Sequence, residues 1–447
     1  MFTAPMTAGT SRSITPQHPQ MRSRSQTTLA SVSDRLSARP RFAMNEDVAY
    51  RSSSQYRFWS FTPAKLADLR ATSNALAADH VHKALARRRS SKATALSLDP
   101  AAPSSADVTP SVSDSDVKNG SGGKKDDAPV ESLTVEEEVE LLKYYCNNVL
   151  VLGNEEFRYP IHVTATAIQF LKRFYLTHSL MEYAPRKITP TALFLANKTD
   201  NQMHSLDHFL RDAHKIGGLE AVTRESVIEP EFLFTQALRF HFDVKHPYRA
   251  LKGIVLEAHQ LIHICHGNRA PDGFSRMRDE DIREALLGDA LSPKELERRI
   301  LSSYDKAKDW LSTKALVSDA YFHYSPSQIA FAAWYCVDDD FVSRFFDIKL
   351  GGVVAAKEKH KIIDSVQACA ALLREVHVLQ DSELKPMNKK MLKANRINAQ
   401  DAAAVKSKKR ATADGLDEHA AKKRKLERET FEKQGNDLFG PSLVTHR

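Results

Sequence analysis

The stretch from Pro160 to Asp200 constrains this chain more than any other. Its first half carries Val163, Ala165, Ala167, Ile168, Phe170, Leu171, Phe174 and Tyr175, so a helix over Val163 to Leu176 is apolar nearly all round. A helix with so little polar surface belongs in the middle of a domain, wrapped by other helices. A second helix is predicted to start at Thr189-Pro190, a cap residue followed by proline, and carries Ala192, Leu193, Phe194, Leu195 and Ala196. Small and large side chains alternate, which lets two helix axes approach closely. An all-α core built on this pair follows.

More helices are legible on either side. Thr134 and Glu137 form a capping-box pattern ahead of Val135, Val139, Leu142, Tyr145, Cys146 and Val149. Leu206, Phe209 and Leu210 suggest a fourth helix, and Ile228 to Phe242 a fifth. Five helices between Thr134 and Phe242 make one unit of ordinary domain size. A second unit repeats the first: Tyr183-x-Pro185-x-x-Ile188-x-x-x-Ala192 recurs as Tyr324-x-Pro326-x-x-Ile329-x-x-x-Ala333, offset by 141 residues. Its other helices are Tyr248 to Cys265, one capped by Ser292 and running to about Lys314, and one over Ala355 to Leu379. No segment reads as a strand.

The ends differ from this body. The net charge of the 447 residues is +8, but residues 382–447 contribute +7 and residues 1–50 contribute +3, leaving the body near −2. A globular nucleic-acid binder would carry its basic excess on the folded part, so no direct nucleic-acid partner is expected. Residues 1–54 are Ser-, Arg- and Pro-rich and read as a disordered tail; Pro5, Pro16 and Pro19 argue against the amphipathic helix of a transit peptide. Residues 55–94 form an N-terminal helical segment that opens on Tyr56, Phe58, Trp59 and Phe61, read as an anchor for that helix. Residues 95–131 are a flexible, low-complexity insertion. Beyond residue 384 the chain is read as a basic tail with no core to serve. Its clusters Lys406, Lys408, Lys409, Arg410 and Lys422, Lys423, Arg424, Lys425 are nuclear-import candidates.

Several chemistries find no support. Four cysteines, Cys146, Cys265, Cys336 and Cys369, form no CxxC pair, which points to a reducing compartment and excludes a Cys-rich zinc module. His259, His263, Cys265 and His266 are a weak metal signal without a placed carboxylate and read as helix surface, so neither metal nor cofactor is expected. No apolar run is long enough to cross a membrane. Nucleotide-binding glycine loops and the kinase signatures HRD and DFG are missing, and an enzyme is not favoured.

The stretch Met181 to Asp200 and the junction Leu238 to Leu251 resemble the cyclin family, specifically its cyclin H branch of fungal type. The resemblance spans most of Gln55 to Leu379. It implies an all-α cyclin fold of two tandem five-helix repeats, residues 132–246 and 247–383, with additional N- and C-terminal helices. It further implies a nuclear regulatory subunit that binds a cyclin-dependent kinase and a RING-finger assembly factor. Together these form the CDK-activating kinase of transcription factor IIH. By position, the family's kinase-gripping lysine and glutamate fall on Lys198 and Glu231. Phe174, Leu180 and Phe194 are implied at the interface or at the edge of the core. Asn201 stands where family members commonly have an acid, which puts any role of that carboxylate in doubt. A cyclin of the C, K or T type, or a DNA-gripping cyclin-fold transcription factor, remains the alternative.

Overall fold

The computed structural model describes residues 50–97, 131–202, 205–269, 277–287, 291–351 and 355–413, with side chains up to 91 and 407 in the two terminal helices. Every described regular element is helical. Two N-terminal helices, α1 (Ser54–Trp59) and α2 (Pro63–Ser97), precede a first group: α3 (Val135–Val151), α4 (Ile161–Phe174), α5 (Pro185–Thr199), α6 (Leu206–Ala213) and α7 (Arg224–Ala237). A second group follows: α8 (Tyr248–Cys265), α9 (Asp279–Leu287), α10 (Pro293–Ser312), two single turns α11 (Lys314–Val317) and α12 (Ala320–His323), α13 (Pro326–Val337), α14 (Asp339–Leu350) and α15 (Ala356–Arg374). The last helix is α16 (Asp381–Ala413).

In the first group α4 is buried from Val163 to Phe174 and packs against α3, α5 and α7. In the second, α13 takes the central place, touching α8, α10, α14 and α15. The repeated Tyr-x-Pro motif explains the likeness: Pro185 and Pro326 each occupy the first turn of α5 and α13, where a missing N–H is harmless. The box at Thr134 forms in full, with Glu137 N donating to Thr134 Oγ1 at 3.2 Å and Thr134 N to Glu137 Oε2 at 3.0 Å.

Three sequence readings need correcting. Helix α5 starts at Pro185, so Thr189 and Pro190 lie inside it and are buried; the earlier proline had already supplied the start. Helix α7 is Arg224–Ala237, not Ile228 to Phe242. Thr223 and Ser226 cap its beginning, and Arg239 and Phe240 take left-handed backbone angles (φ 53 and 56) that a helix cannot continue through. The third correction concerns the stretch after residue 384. It forms α16, which packs on α2 and α3 and buries Leu384, Met391, Ala394 and Ile397. Four apolar residues spread among many lysines gave too thin a stripe to read, yet they do serve the core.

Two buried cations tie the halves together. Lys172 on α4 donates to Leu316 O at 3.3 Å and to Ser318 O in the second group, and its ammonium lies 5.3 Å from the Phe322 ring centre. Beside it, Asp319 accepts both guanidinium nitrogens of Arg70 on α2, at 2.8 and 2.7 Å. Desolvation alone would raise the Asp319 pKa, but Arg70 and Lys172 together hold it at about 2. Arg173 donates to His241 O at 3.1 Å and lies over Trp59, so the N-terminal aromatic anchor is seated at the junction between groups. Phe61 N donates to Phe322 O at 2.7 Å and completes that seat.

Candidate functional site

Lys198 lies in the last turn of α5 and Glu231 in the middle of α7, 33 residues later. These helices pack side by side, locked by Thr191 Oγ1 donating to Val227 O at 2.9 Å. The packing brings the two predicted residues together: Lys198 Nζ lies 2.5 Å from Glu231 Oε1. The lysine side chain is 47% exposed and the carboxylate 18%. The lysine stem runs over Phe194, with Nζ 5.2 Å from the ring centre.

Around the pair, the α7 surface is apolar. Ile228 and Phe232 are exposed, Phe232 to 66% of its area. They flank Glu231 at helical spacing, on the side opposite the buried Phe234. Phe240, also exposed, follows at the left-handed turn. An ionic pair beside large unburied aromatic rings is the composition of a protein-binding patch. Phe232 and Ile228 were missed in the sequence, although the alternation of Phe232 and Phe234 on a helix would have placed one ring outward. Phe174, Leu180 and Phe194 are all buried and belong to the core, so none offers a contact to a partner here.

The end of α5 is held by a buried polar chain. Tyr321 donates its hydroxyl to His246 Nδ1 (3.1 Å), His246 Nε2–H to Thr166 Oγ1 (3.0 Å), and Thr166 to Asp200 Oδ2 (2.8 Å). This order of donors follows from the neutral imidazole: burial pushes the His246 pKa down to about 3. Burial also raises the Asp200 carboxyl above its ordinary value, with the Thr166 hydrogen bond opposing. Asn201 has a backbone role. At φ 56 it is the left-handed residue just past the helix, and Gln202 N closes the end by donating to Asn197 O at 3.0 Å. Asparagine tolerates that conformation better than a branched or bulky residue.

Of the import candidates, Lys406 is exposed near the end of α16, and the backbone of Lys408, Lys409 and Arg410 continues the helix. Lys422, Lys423, Arg424 and Lys425 lie outside the described residues, as does most of the 95–131 insertion. Among the described residues no three metal-ligating side chains converge, and no helix is long and apolar enough to cross a membrane.

Residues 246–374 match the model of the cyclin C-terminal domain. The chain is 28% identical to Cyclin CCL1 of Saccharomyces cerevisiae across 68% of its own length and 62% of that protein's. It is likewise 28% identical to Cyclin mcs2 of Schizosaccharomyces pombe, across 67% of this chain and 73% of the other. Among solved structures, a chain of the CAK complex from Chaetomium thermophilum superposes with a TM-score of 0.56 at 25% identity, covering 81% of this chain and 95% of that one. These findings support a cyclin-H-like cyclin of fungal type. The cyclin fold accounts for the two helical groups and their repeated Tyr-x-Pro starts. In this cyclin the first group ends in an open, partly apolar ionic patch.

Proposed function

We propose that this cyclin binds and activates a cyclin-dependent kinase, as the regulatory subunit of a CDK-activating kinase within transcription factor IIH. The complex would phosphorylate the C-terminal domain of RNA polymerase II and kinase activation loops. A RING-finger assembly factor and a nuclear setting complete the proposal. A solved structure similar across 81% of this chain is itself of a CAK complex. The cyclin supplies no phosphotransfer chemistry in this reading and acts on the kinase alone.

The observation that carries the reading is the Lys198–Glu231 pair beside exposed Phe232. A pair this accessible contributes little to folding, so opening it for a partner costs little. Once opened, Lys198 has three donors for backbone carbonyls and Glu231 accepts from amides, while Phe232 fills an apolar pocket. Seated there, the cyclin holds the kinase's C-helix inward, where its glutamate pairs with the lysine that orients ATP. Activation requires that the patch fit this inward state better than the outward one. The test is affinity purification of the full chain with identification of the bound kinase, followed by assay on a polymerase C-terminal repeat peptide. Recovery of an active kinase from the wild type but not from K198E supports the reading, and equal recovery from both overturns it.

A further inference from the structure

Lys198 sits between two tethers on α5. Before it in the chain, about 10 Å back along the helix, Thr191 Oγ1 donates to Val227 O and fixes α5 to α7. Just after it, Asp200 caps the helix, its N donating to Ala196 O at 3.0 Å, and its carboxylate is tied to Thr166 on α4. A helix end otherwise frays, because its last carbonyls lack helical partners and its last turn opens at little cost. The tie at Asp200 therefore steadies the turn that carries the Lys198 ammonium.

The tie does not stop at Thr166. Its hydroxyl gives its one proton to Asp200 and accepts the Nε2–H of His246, whose Nδ1 accepts the Tyr321 hydroxyl. Every bond of this line points toward the carboxylate, an arrangement in which each donor is polarised by the next. Thr166 and Tyr321 are buried, so water does not compete for their hydroxyls. Thr166 belongs to the central helix of the first group, His246 to the connection between groups and Tyr321 to the single turn α12 of the second. That turn is clamped by the N-terminal segment. Asp319 just before it accepts Arg70, Phe322 O accepts Phe61 N, and His323 Nδ1 donates to Phe61 O at 2.9 Å.

Valine and phenylalanine would fill the space of Thr166 and Tyr321, and replacing a whole hydrogen-bonded set by apolar groups of the same shape is nearly neutral for stability. What the hydrogen bonds add is a fixed length and direction between the second group and the end of α5. A binding constellation has to be held to within about 0.5 Å, and Lys198 must meet a partner's carbonyls at hydrogen-bond distance. By the repeat offset the second group has Asp339 where the first has Lys198. Its service to the kinase is then to be sought in what it does to the first group. We infer that Tyr321, His246, Thr166 and Asp200 are positioning residues for the kinase-binding patch, the line through which the second helical group sets where Lys198 stands. This rests on the reading of Lys198 as a kinase anchor and adds residues buried out of the kinase's reach.

A double-mutant cycle tests it, with the full chain and the catalytic subunit recovered with the wild type. T166V keeps the shape and removes the hydroxyl; it should weaken kinase binding by about 10-fold. T166S, which has the hydroxyl, should return the affinity to within about twofold of the wild type. K198A alone should weaken binding by about 10-fold or more. If Thr166 acts through Lys198, adding T166V to K198A should cost less than about twofold, since coupled sites are not additive. Y321F keeps the ring and loses only the hydroxyl, so it carries the same cycle should T166V fold poorly, with an effect of about threefold. In the free cyclin Y321F should also speed hydrogen exchange at the amides of Asp200 and Gln202, leaving those of Leu193 to Ala196 as in the wild type. Wild-type affinity in T166V and Y321F, no rescue by T166S, unchanged exchange, or full additivity with K198A would each overturn the inference while leaving Lys198 an anchor. Wild-type affinity in K198A would overturn the reading of Lys198 itself, and the inference with it.

Discussion

The two helical groups start their matched helices alike and finish them differently. Helix α5 carries Lys198 in its last turn, and its ammonium reaches Glu231 across an accessible surface with Phe232 exposed. Moving on by the repeat offset of 141 residues, Lys198 becomes Asp339, Glu231 becomes Leu372 and Phe232 becomes the fully buried Leu373. At that end α13 stops at Asp338, whose carboxylate caps α14 through Phe341 N and accepts Arg299 at 2.7 and 2.5 Å. The Asp338 side chain is 8% exposed. One end of the repeat is satisfied internally; the other keeps donors, acceptors and aromatic area in reserve. A shared scaffold thus gives one sealed end and one adhesive end, and only the adhesive end suits a partner.

The largest expected effect tests that asymmetry directly. K198E should weaken kinase binding by about 100-fold, the scale of about 2–3 kcal/mol seen at interface anchors, measured by calorimetry. The swap K198E with E231K restores a pair of opposite charges but should not restore binding, because the donors and acceptors then face the wrong kinase groups. Recovery by the swap would mean that the pair acts only within the cyclin. Next, L373A should lower stability by about 2–4 kcal/mol in denaturant unfolding, as for other buried leucines. F232A should leave the unfolding midpoint nearly unchanged and cost about 2 kcal/mol in kinase binding. If the two behave alike, the comparison fails. R299A is expected to cost about 1–3 kcal/mol of stability by stranding the Asp338 carboxylate, with kinase affinity unaltered.

The smallest effect is a pH dependence at the junction. His246 is held at about 3 by burial, so the unfolded chain binds a proton there that the folded chain refuses. Its stabilising contribution is complete above its unfolded value of about 6.5 and falls by about 1.4 kcal/mol for each pH unit below that. Unfolding measured between about pH 6.5 and 5, above the carboxylate range, should show this slope. H246Q, which keeps a donor and an acceptor but cannot titrate, should reduce the slope and leave the part due to His178 and His241, whose pKa values burial also lowers.

Much of this was legible in the sequence, for identifiable reasons. The apolar stretch around Ile168, the capping box at Thr134 and the paired Tyr-x-Pro starts are local signals, and local signals survive without tertiary context. Lys198 and Glu231 were placed by family resemblance, and that they form an ion pair is seen only in the packing of α5 on α7. Lys172 and Arg173 were overlooked inside a helix read for its apolar residues, because the carbonyls that satisfy Lys172 lie 144 and 146 residues away. Helix α16 was taken for a tail since its lysines dominate any average, while the few residues that bury are spaced seven and three apart. The ring of Phe232 was not singled out, because only the packing of α7 shows that it faces outward while Phe234 is buried.

The ammonium of Lys172 has one further consequence. It is lodged in hydrocarbon with oxygens of the opposite half as its solvation shell, so any swivel of one half against the other would leave a bare charge in a dry place. The cyclin is accordingly built without a hinge at that seam. It can be a template of fixed shape against which a more pliable catalytic subunit is moulded, and control over it has to come from what is attached or detached at its outside.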